Sequence, residues 1–178
     1  MFAIATYSVR EVDQSGILWI QTPGRMSLYR GVNSLTLDAK GRMAMPTRYR
    51  EQLLTHCDGQ MVVTVDRDHC LLLYPLPEWE IIERKLVKLP TLNKQARRLQ
   101  RLLIGHATEC ELDGNGRILV PPPLREFAAL ERRAVLIGQG NKFELWDEAS
   151  WNARRDEWLN EVDSDDLELP TELETLSL

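Results

Sequence analysis

Long apolar runs are missing from this chain: no stretch approaches the roughly 18–20 consecutive apolar residues that a membrane helix needs. A secretory leader is missing too. The apolar stretch from Phe2 is broken by Arg10, Glu11 and Asp13, and no small-residue cleavage site follows a long apolar core. Cysteine is scarce. Cys57, Cys70 and Cys110 are odd in number and form no Cys-x-x-Cys pair, which argues against a disulfide framework. His56-Cys57 and His69-Cys70 look alike as pairs, but their spacing is not that of a known zinc module. Cys70 sits inside an apolar run, where a buried inert thiol is the simpler expectation. Catalytic signatures are lacking as well. His56, His69 and His106 are scattered, and there is neither a nucleophile elbow nor a His-Glu-x-x-His pattern. Gly138-Gln139-Gly140 begins like a dinucleotide-binding loop, but Phe143 stands where the third glycine belongs. The expectation is a cytoplasmic protein that is not an enzyme, with no metal, no cofactor, no small-molecule substrate and no membrane partner.

What remains is a globular composition, 43% hydrophobic and 28% charged over 178 residues, enough for one ordinary domain or two small units sharing a core. A net charge of −5 argues against nucleic acid until its distribution is read. Residues 156–178 hold nine of the 27 acidic residues and none of the 22 basic ones, so residues 1–155 carry a net +4. Four zones follow: an extension over 1–25, a first unit with its helix over 26–92, a linking helix and second unit over 93–155, and an acidic tail over 156–178.

An internal repeat dominates the body. Leu37-Asp38-Ala39-Lys40-Gly41-Arg42-Met43-Ala44-Met45-Pro46 precedes Arg50-Glu51, and Leu112-Asp113-Gly114-Asn115-Gly116-Arg117-Ile118-Leu119-Val120-Pro121 precedes Arg125-Glu126. Seven positions are identical at a constant offset of 75. At an offset of 72, Val62–Val65 faces Ala134–Ile137, Leu71–Tyr74 faces Phe143–Trp146, and Trp79 faces Trp151. Each unit therefore reads as a hairpin, a short helix, two further strands and a helical segment. Asp38 and Gly41 make the turn, one by bonding nearby backbone and the other by accepting positive φ. Met43 and Met45 alternate along the return strand. Pro46 opens a helix, Thr47 to Leu54, that exposes Arg48 and buries Leu53. A helix near Glu78–Leu89 is stopped by Pro90, and Asn93 caps another through about Gly105. A single unit is too small to cover its own apolar face. Two copies are expected to pair about a pseudo-two-fold axis: an α+β fold with a β-barrel built from two duplicated hairpin–helix units and linking helices.

The pattern Asp-x-x-Gly-Arg-apolar-x-apolar-Pro-x-x-x-Arg, present twice, resembles the AbrB/SpoVT swapped-hairpin module. Tyr29-Arg30-Gly31, Leu71–Trp79, Arg101–Ala107 and Gly138–Trp146 are similar to the MraZ family over roughly Met26 to Trp151. The resemblance implies a DNA-binding regulator of the division and cell-wall gene cluster. It also implies binding to repeated upstream sites, association with the nucleoid, and a ring-shaped homo-oligomer, octameric or larger. Family chains begin near the position of Met26, so residues 1–25 are expected to be a non-native extension.

The first hairpin carries Lys40, Arg42, Arg48 and Arg50 within eleven residues, and these are the expected DNA contacts. Arg42 can grip a phosphate or read guanine bidentately, while Lys40 and Arg48 suit phosphate. The second hairpin carries only Arg117 and Arg125. Asp38, Gly41, Asp113, Gly116, Arg117 and Arg125 are expected to be structural or secondary, with each Asp holding its turn and pairing the Arg four residues on. Arg97, Arg98 and Arg101 read as a solvated helix face. The alternative function is a protein-interaction or antitoxin-like scaffold of the same fold without specific DNA reading.

Overall fold

The computed structural model describes residues 28–162. The expectations for residues 1–25, for a start at Met26 and for the tail beyond residue 162 lie outside the described residues.

The first repeat runs β1 (Tyr29–Thr36), β2 (Arg42–Ala44), α1 (Thr47–Cys57), β3 (Gln60–Val65), β4 (Leu71–Pro75) and α2 (Leu76–Val87). After α3 (Lys94–Leu103) the second repeat runs β5 (Thr108–Glu111), β6 (Arg117–Leu119), α4 (Pro122–Phe127), β7 (Arg133–Gly140), β8 (Lys142–Asp147) and α5 (Glu148–Val162). The Asn93 cap forms as its side chain dictates, with Oδ1 accepting from the N–H groups of Gln95 (2.8 Å) and Ala96 (3.1 Å).

Six strands form one antiparallel sheet in the order β1-β7-β8-β4-β3-β5, and β2 and β6 form a separate two-stranded ribbon. Replacing each strand by its counterpart in the other repeat reverses the sheet order and leaves it unchanged. The register agrees. Leu71 pairs with Leu145 and Leu73 with Phe143, two pairs that exchange under the repeat relation. In the ribbon, Met43 faces Ile118, its own counterpart. Each first strand pairs with the other repeat: β1 with β7 and β5 with β3. Neither unit completes its sheet alone.

The barrel expected from the sequence is not what these strands form. The sheet is open, with β1 and β5 at its two edges. The reason lies in β3 and β4, where Met61–Val65 and Leu71–Pro75 are buried at every position. A barrel would cover one face only; these strands need cover on both. One face carries the main core, built from both repeats, with Leu53 of α1, Leu124 of α4, and Met43, Met45, Ile118 and Val120 beside the ribbon. The opposite face meets Trp79 and Ile82 of α2, Leu103 of α3 and, at Trp146, Trp151 of α5. Thr64 is the one buried polar side chain in the described core, and its hydroxyl donates to the Leu103 carbonyl at 2.6 Å. Trp146, Trp151 and Trp158 lie 5.9–6.0 Å apart, centroid to centroid, and seat α5 on the sheet.

Candidate nucleic-acid interface

Asp38 builds the first turn. Its Oδ1 accepts from the N–H groups of Lys40 (2.9 Å) and Arg42 (3.0 Å), and Gly41 N–H donates to the Asp38 carbonyl at 2.8 Å. Arg42 then folds back, with Nε and Nη2 each 2.7 Å from Asp38 Oδ2. Asp113 repeats the arrangement, accepting from the N–H groups of Asn115 and Arg117 at 2.9 Å and from Arg117 Nε at 3.0 Å. The backbone N–H of Arg42, and after it the Arg42 guanidinium, hold the Asp38 carboxyl at about 2, well below the usual carboxylate range. Asp113 is lowered as well, chiefly by the backbone N–H of Arg117. Arg42 and Arg117 are equally exposed, at 31% and 32% of the side chain, so each offers its outer guanidinium edge while its inner edge is paired.

Sequence reasoning separated these two arginines; the fold brings them together. Arg42 pairs across the ribbon with Leu119, and Ala44 with Arg117. Side chains alternate faces along a strand, so Arg42, Ala44, Arg117 and Leu119 share one face. Met43 and Ile118 share the other and are fully buried. The outer face of the ribbon thus carries an arginine from each repeat, at opposite ends. Antiparallel pairing of two copies related by a two-fold axis requires this, and that pairing was the signal in the repeat.

The remaining cations divide. Lys40 is exposed at the tip of the first turn and has no ion pair among the described residues. Arg48 is exposed at the start of α1, where Nη2 donates to Asn33 Oδ1 at 2.7 Å and the guanidinium lies 4.7 Å from the Tyr49 ring centre. Arg50 is placed differently from an exposed contact. It is half-buried, and its Nε donates to the Met45 carbonyl at 2.6 Å. It lies across the turn of the other repeat: a Cβ added to Gly116 (φ +70°) would meet Arg50 Cδ and Nε at 2.6 Å. Arg125 does the same to Gly41 (φ +81°), with Cζ and Nε 2.5 Å from an added Cβ. Each glycine is therefore required twice, by its left-handed backbone and by the arginine lying on it. Reciprocal bonds lock the exchange, Met45 N–H to the Gly116 carbonyl and Val120 N–H to the Gly41 carbonyl, both 3.0 Å.

The turns differ in their surroundings. Glu131 and Arg132 line the open hollow at the first turn, and Leu37 N–H donates to the Arg132 carbonyl at 2.8 Å. Arg132 was missed in the sequence because only the strand exchange carries it there. Glu109 and Glu111 line a cleft of about 490 Å³ together with Arg42, Asp113 and Arg117. Burial pushes the Cys110 thiol of the same cleft up to about 12, and it raises the Cys57 and Cys70 thiols as well.

The family model described as "MraZ protein, putative antitoxin-like" matches residues 28–102 and again residues 103–168. This chain belongs to the MraZ family. Its relatives in the family include a protein of Halorhodospira halophila that is 65% identical over 152 residues, 85% of this chain and 100% of the relative. One from Methylococcus capsulatus is 67% identical over 141 residues, 79% of this chain and 93% of the relative. One from Thioalkalivibrio sulfidiphilus is 62% identical over 151 residues, 85% of this chain and 100% of the relative. All three are named "Transcriptional regulator MraZ". The MraZ match divides the chain between Leu102 and Leu103, in the last turn of α3.

Proposed function

We propose that this chain is a transcriptional regulator that binds double-stranded DNA through the outer face of the β2–β6 ribbon. It represses the division and cell-wall gene cluster as a nucleoid-associated ring in the cytoplasm. One observation carries the reading: Arg42 and Arg117 lie on one exposed face of a two-stranded ribbon, with Lys40 at the tip of the turn that leads into it. The major groove, about 12 Å wide, admits a two-stranded ribbon. Arg42 supplies the principal contact through its outer guanidinium edge, and Arg117 supports it. Lys40 and Arg48 hold phosphates and set the register. Arg50 and Arg125 serve as ties between the repeats, since each lies across the turn of the opposite repeat. Asp38 and Asp113 aim the two guanidiniums and neutralise their inner edges.

One ribbon presents few cations, so the affinity of one subunit for DNA is weak. Several ribbons engaging evenly spaced sites raise it by about 10²–10⁴ through effective concentration. The reading therefore includes a homo-oligomer and repeated sites. The test is a mobility shift of the full chain on the upstream region of its own operon and on a shuffled duplex, with light scattering on the same sample. Retardation of the first duplex alone, by a particle of several subunits, is expected. A monomer indifferent to both duplexes in dilute buffer removes the reading. A particle of several subunits that ignores both favours the interaction scaffold, the reading that the family's antitoxin-like description supports.

A further inference from the structure

The surface least like the rest of the molecule lies around α3. Lys94, Arg97, Arg98 and Arg101 give this ten-residue helix four cations and no acid. None of the four has a carboxylate within ion-pair distance among the described residues. Beside them runs a hollow of about 600 Å³ floored by Leu89, Ala96, Leu99 and Leu102 and flanked by Arg67 and Arg98. It shares Arg67, Leu99 and Leu102 with a second hollow of about 480 Å³ that reaches Lys142, with Asp66 as its one acid. Together they form an apolar trough with a cationic rim. It shares no lining residue with the cleft at the ribbon.

We propose that this trough is the docking site of the chain's own acidic tail, residues 163–178. The tail has the complementary chemistry in the required alternation. Asp163, Asp165, Asp166, Glu168, Glu172 and Glu174 are interleaved with leucines at 167, 169, 173, 176 and 178, and no cation intervenes. Carboxylates meet the arginine rim while leucines cover the floor. Duplex DNA matches the rim but offers nothing to an apolar floor, which is why the tail is the better occupant. Reach is no obstacle. Sixteen extended residues span roughly 55 Å, more than the roughly 37 Å diameter expected of a compact body this size. Docked here, the tail screens the α3 cations from nucleic acid and leaves the ribbon open, so DNA contact is confined to one face.

Hydrogen exchange on the full chain tests this, read at low salt and at 1 M salt. Tail amides are expected to exchange about tenfold more slowly at low salt than at 1 M. The double variant Arg98→Glu, Arg101→Glu loses that protection, and adding Glu172→Lys, Glu174→Lys restores it. All four substitutions are at charged positions, and circular dichroism checks that the fold is unchanged. A tail exchanging at unstructured rates in the unaltered chain overturns the proposal. So does a protected tail that ignores the α3 substitutions, which would mean docking elsewhere. Weakened binding to a shuffled duplex in the α3 variant, with tail exchange unchanged, overturns it in favour of a nucleic-acid surface.

Discussion

The two turns of this molecule share a backbone and differ in charge. Each has an Asp that accepts two backbone N–H groups and a guanidinium, a glycine in the left-handed region, and an arginine from the other repeat lying across it. Lys40 occupies the tip of the first, and Asn115 the tip of the second. Arg48 opens α1, whereas a proline, Pro123, stands at the matching position of α4. Glu109 and Glu111 stand beside the second turn where the first strand has Ser34 and Thr36. Duplication kept what the exchange of strands requires and released what only meets the outside. Arg42 and Arg117 belong to the part that was kept, so the two outer faces are told apart by their neighbours, Lys40 and Arg48 on one side and Asn115 and Pro123 on the other.

The sharpest way to break this comparison is to remove the arginines one at a time. Arg42→Ala is expected to cost about 1–3 kcal/mol per engaged ribbon, the worth of a bidentate base contact. Arg117→Ala should cost less, because its turn carries Asn115 where the turn of Arg42 carries Lys40. Titrations of the full chain on its upstream duplex at fixed salt measure both. Equal losses would mean that charge around the turns does not discriminate them.

The scaffold half of the comparison is tested by Gly116→Ala, which forces a left-handed alanine and drives its Cβ into Arg50. The expected loss of stability is about 2 kcal/mol, measured by urea unfolding. In an Arg50→Ala background only the backbone part, about 1 kcal/mol, should remain. Gly41→Ala with Arg125→Ala should give the same pattern. Additive losses in either cycle would show that the crossed arginines do not touch the turns as described.

How much of this was open to reading from residues alone depended on whether it was local. The turns, the Asp–Arg pairs and the Asn93 cap rest on contacts within about four residues, and the pattern names them. The exchange of β1 and β5 between repeats, the shared face of Arg42 and Arg117, and the arrival of Arg132 at the first turn involve partners 45 or more residues apart. A repeat implies that two copies pair; it does not say which strands they trade. Arg50 shows the cost. By composition it belongs to a basic cluster, yet its fork is committed to the Met45 carbonyl and the Gly116 turn. The barrel failed for a related reason: Met61–Val65 and Leu71–Pro75 are buried at every position, Thr64 among them, which means two covered faces rather than one.

Lys40 offers a smaller and more specific test. A single phosphate contact adds about 0.9 to the log–log salt slope, or roughly 0.7 log units of affinity between 1 M and 0.15 M salt. Lys40→Asn should reduce the slope by about that amount per engaged ribbon and leave the preference among duplex sequences unchanged. Adding Asn115→Lys should not restore it, since Glu109 and Glu111 sit beside that turn. Full restoration would mean that the two tips are interchangeable and that the charge difference carries no function.

The smallest effect is expected in the two aspartates themselves. Both carboxyls are held below their unfolded value, so protonation is resisted in the folded state. Their contribution to stability is complete above the unfolded carboxyl range near 4 and is lost for Asp38 as pH falls through about 2. Arg42 reaches Asp38 with two nitrogens at 2.7 Å, whereas Arg117 reaches Asp113 with Nε at 3.0 Å. Asp38 should therefore titrate below Asp113, as carboxyl carbon shifts followed by NMR would reveal. Arg42→Lys, which keeps the charge but removes the planar fork, should raise Asp38 and leave Asp113 where it is. If Asp113 moved as well, the turns would be coupled through the ribbon rather than held by separate local bonds, and the division between a common scaffold and independent charges would have to be redrawn.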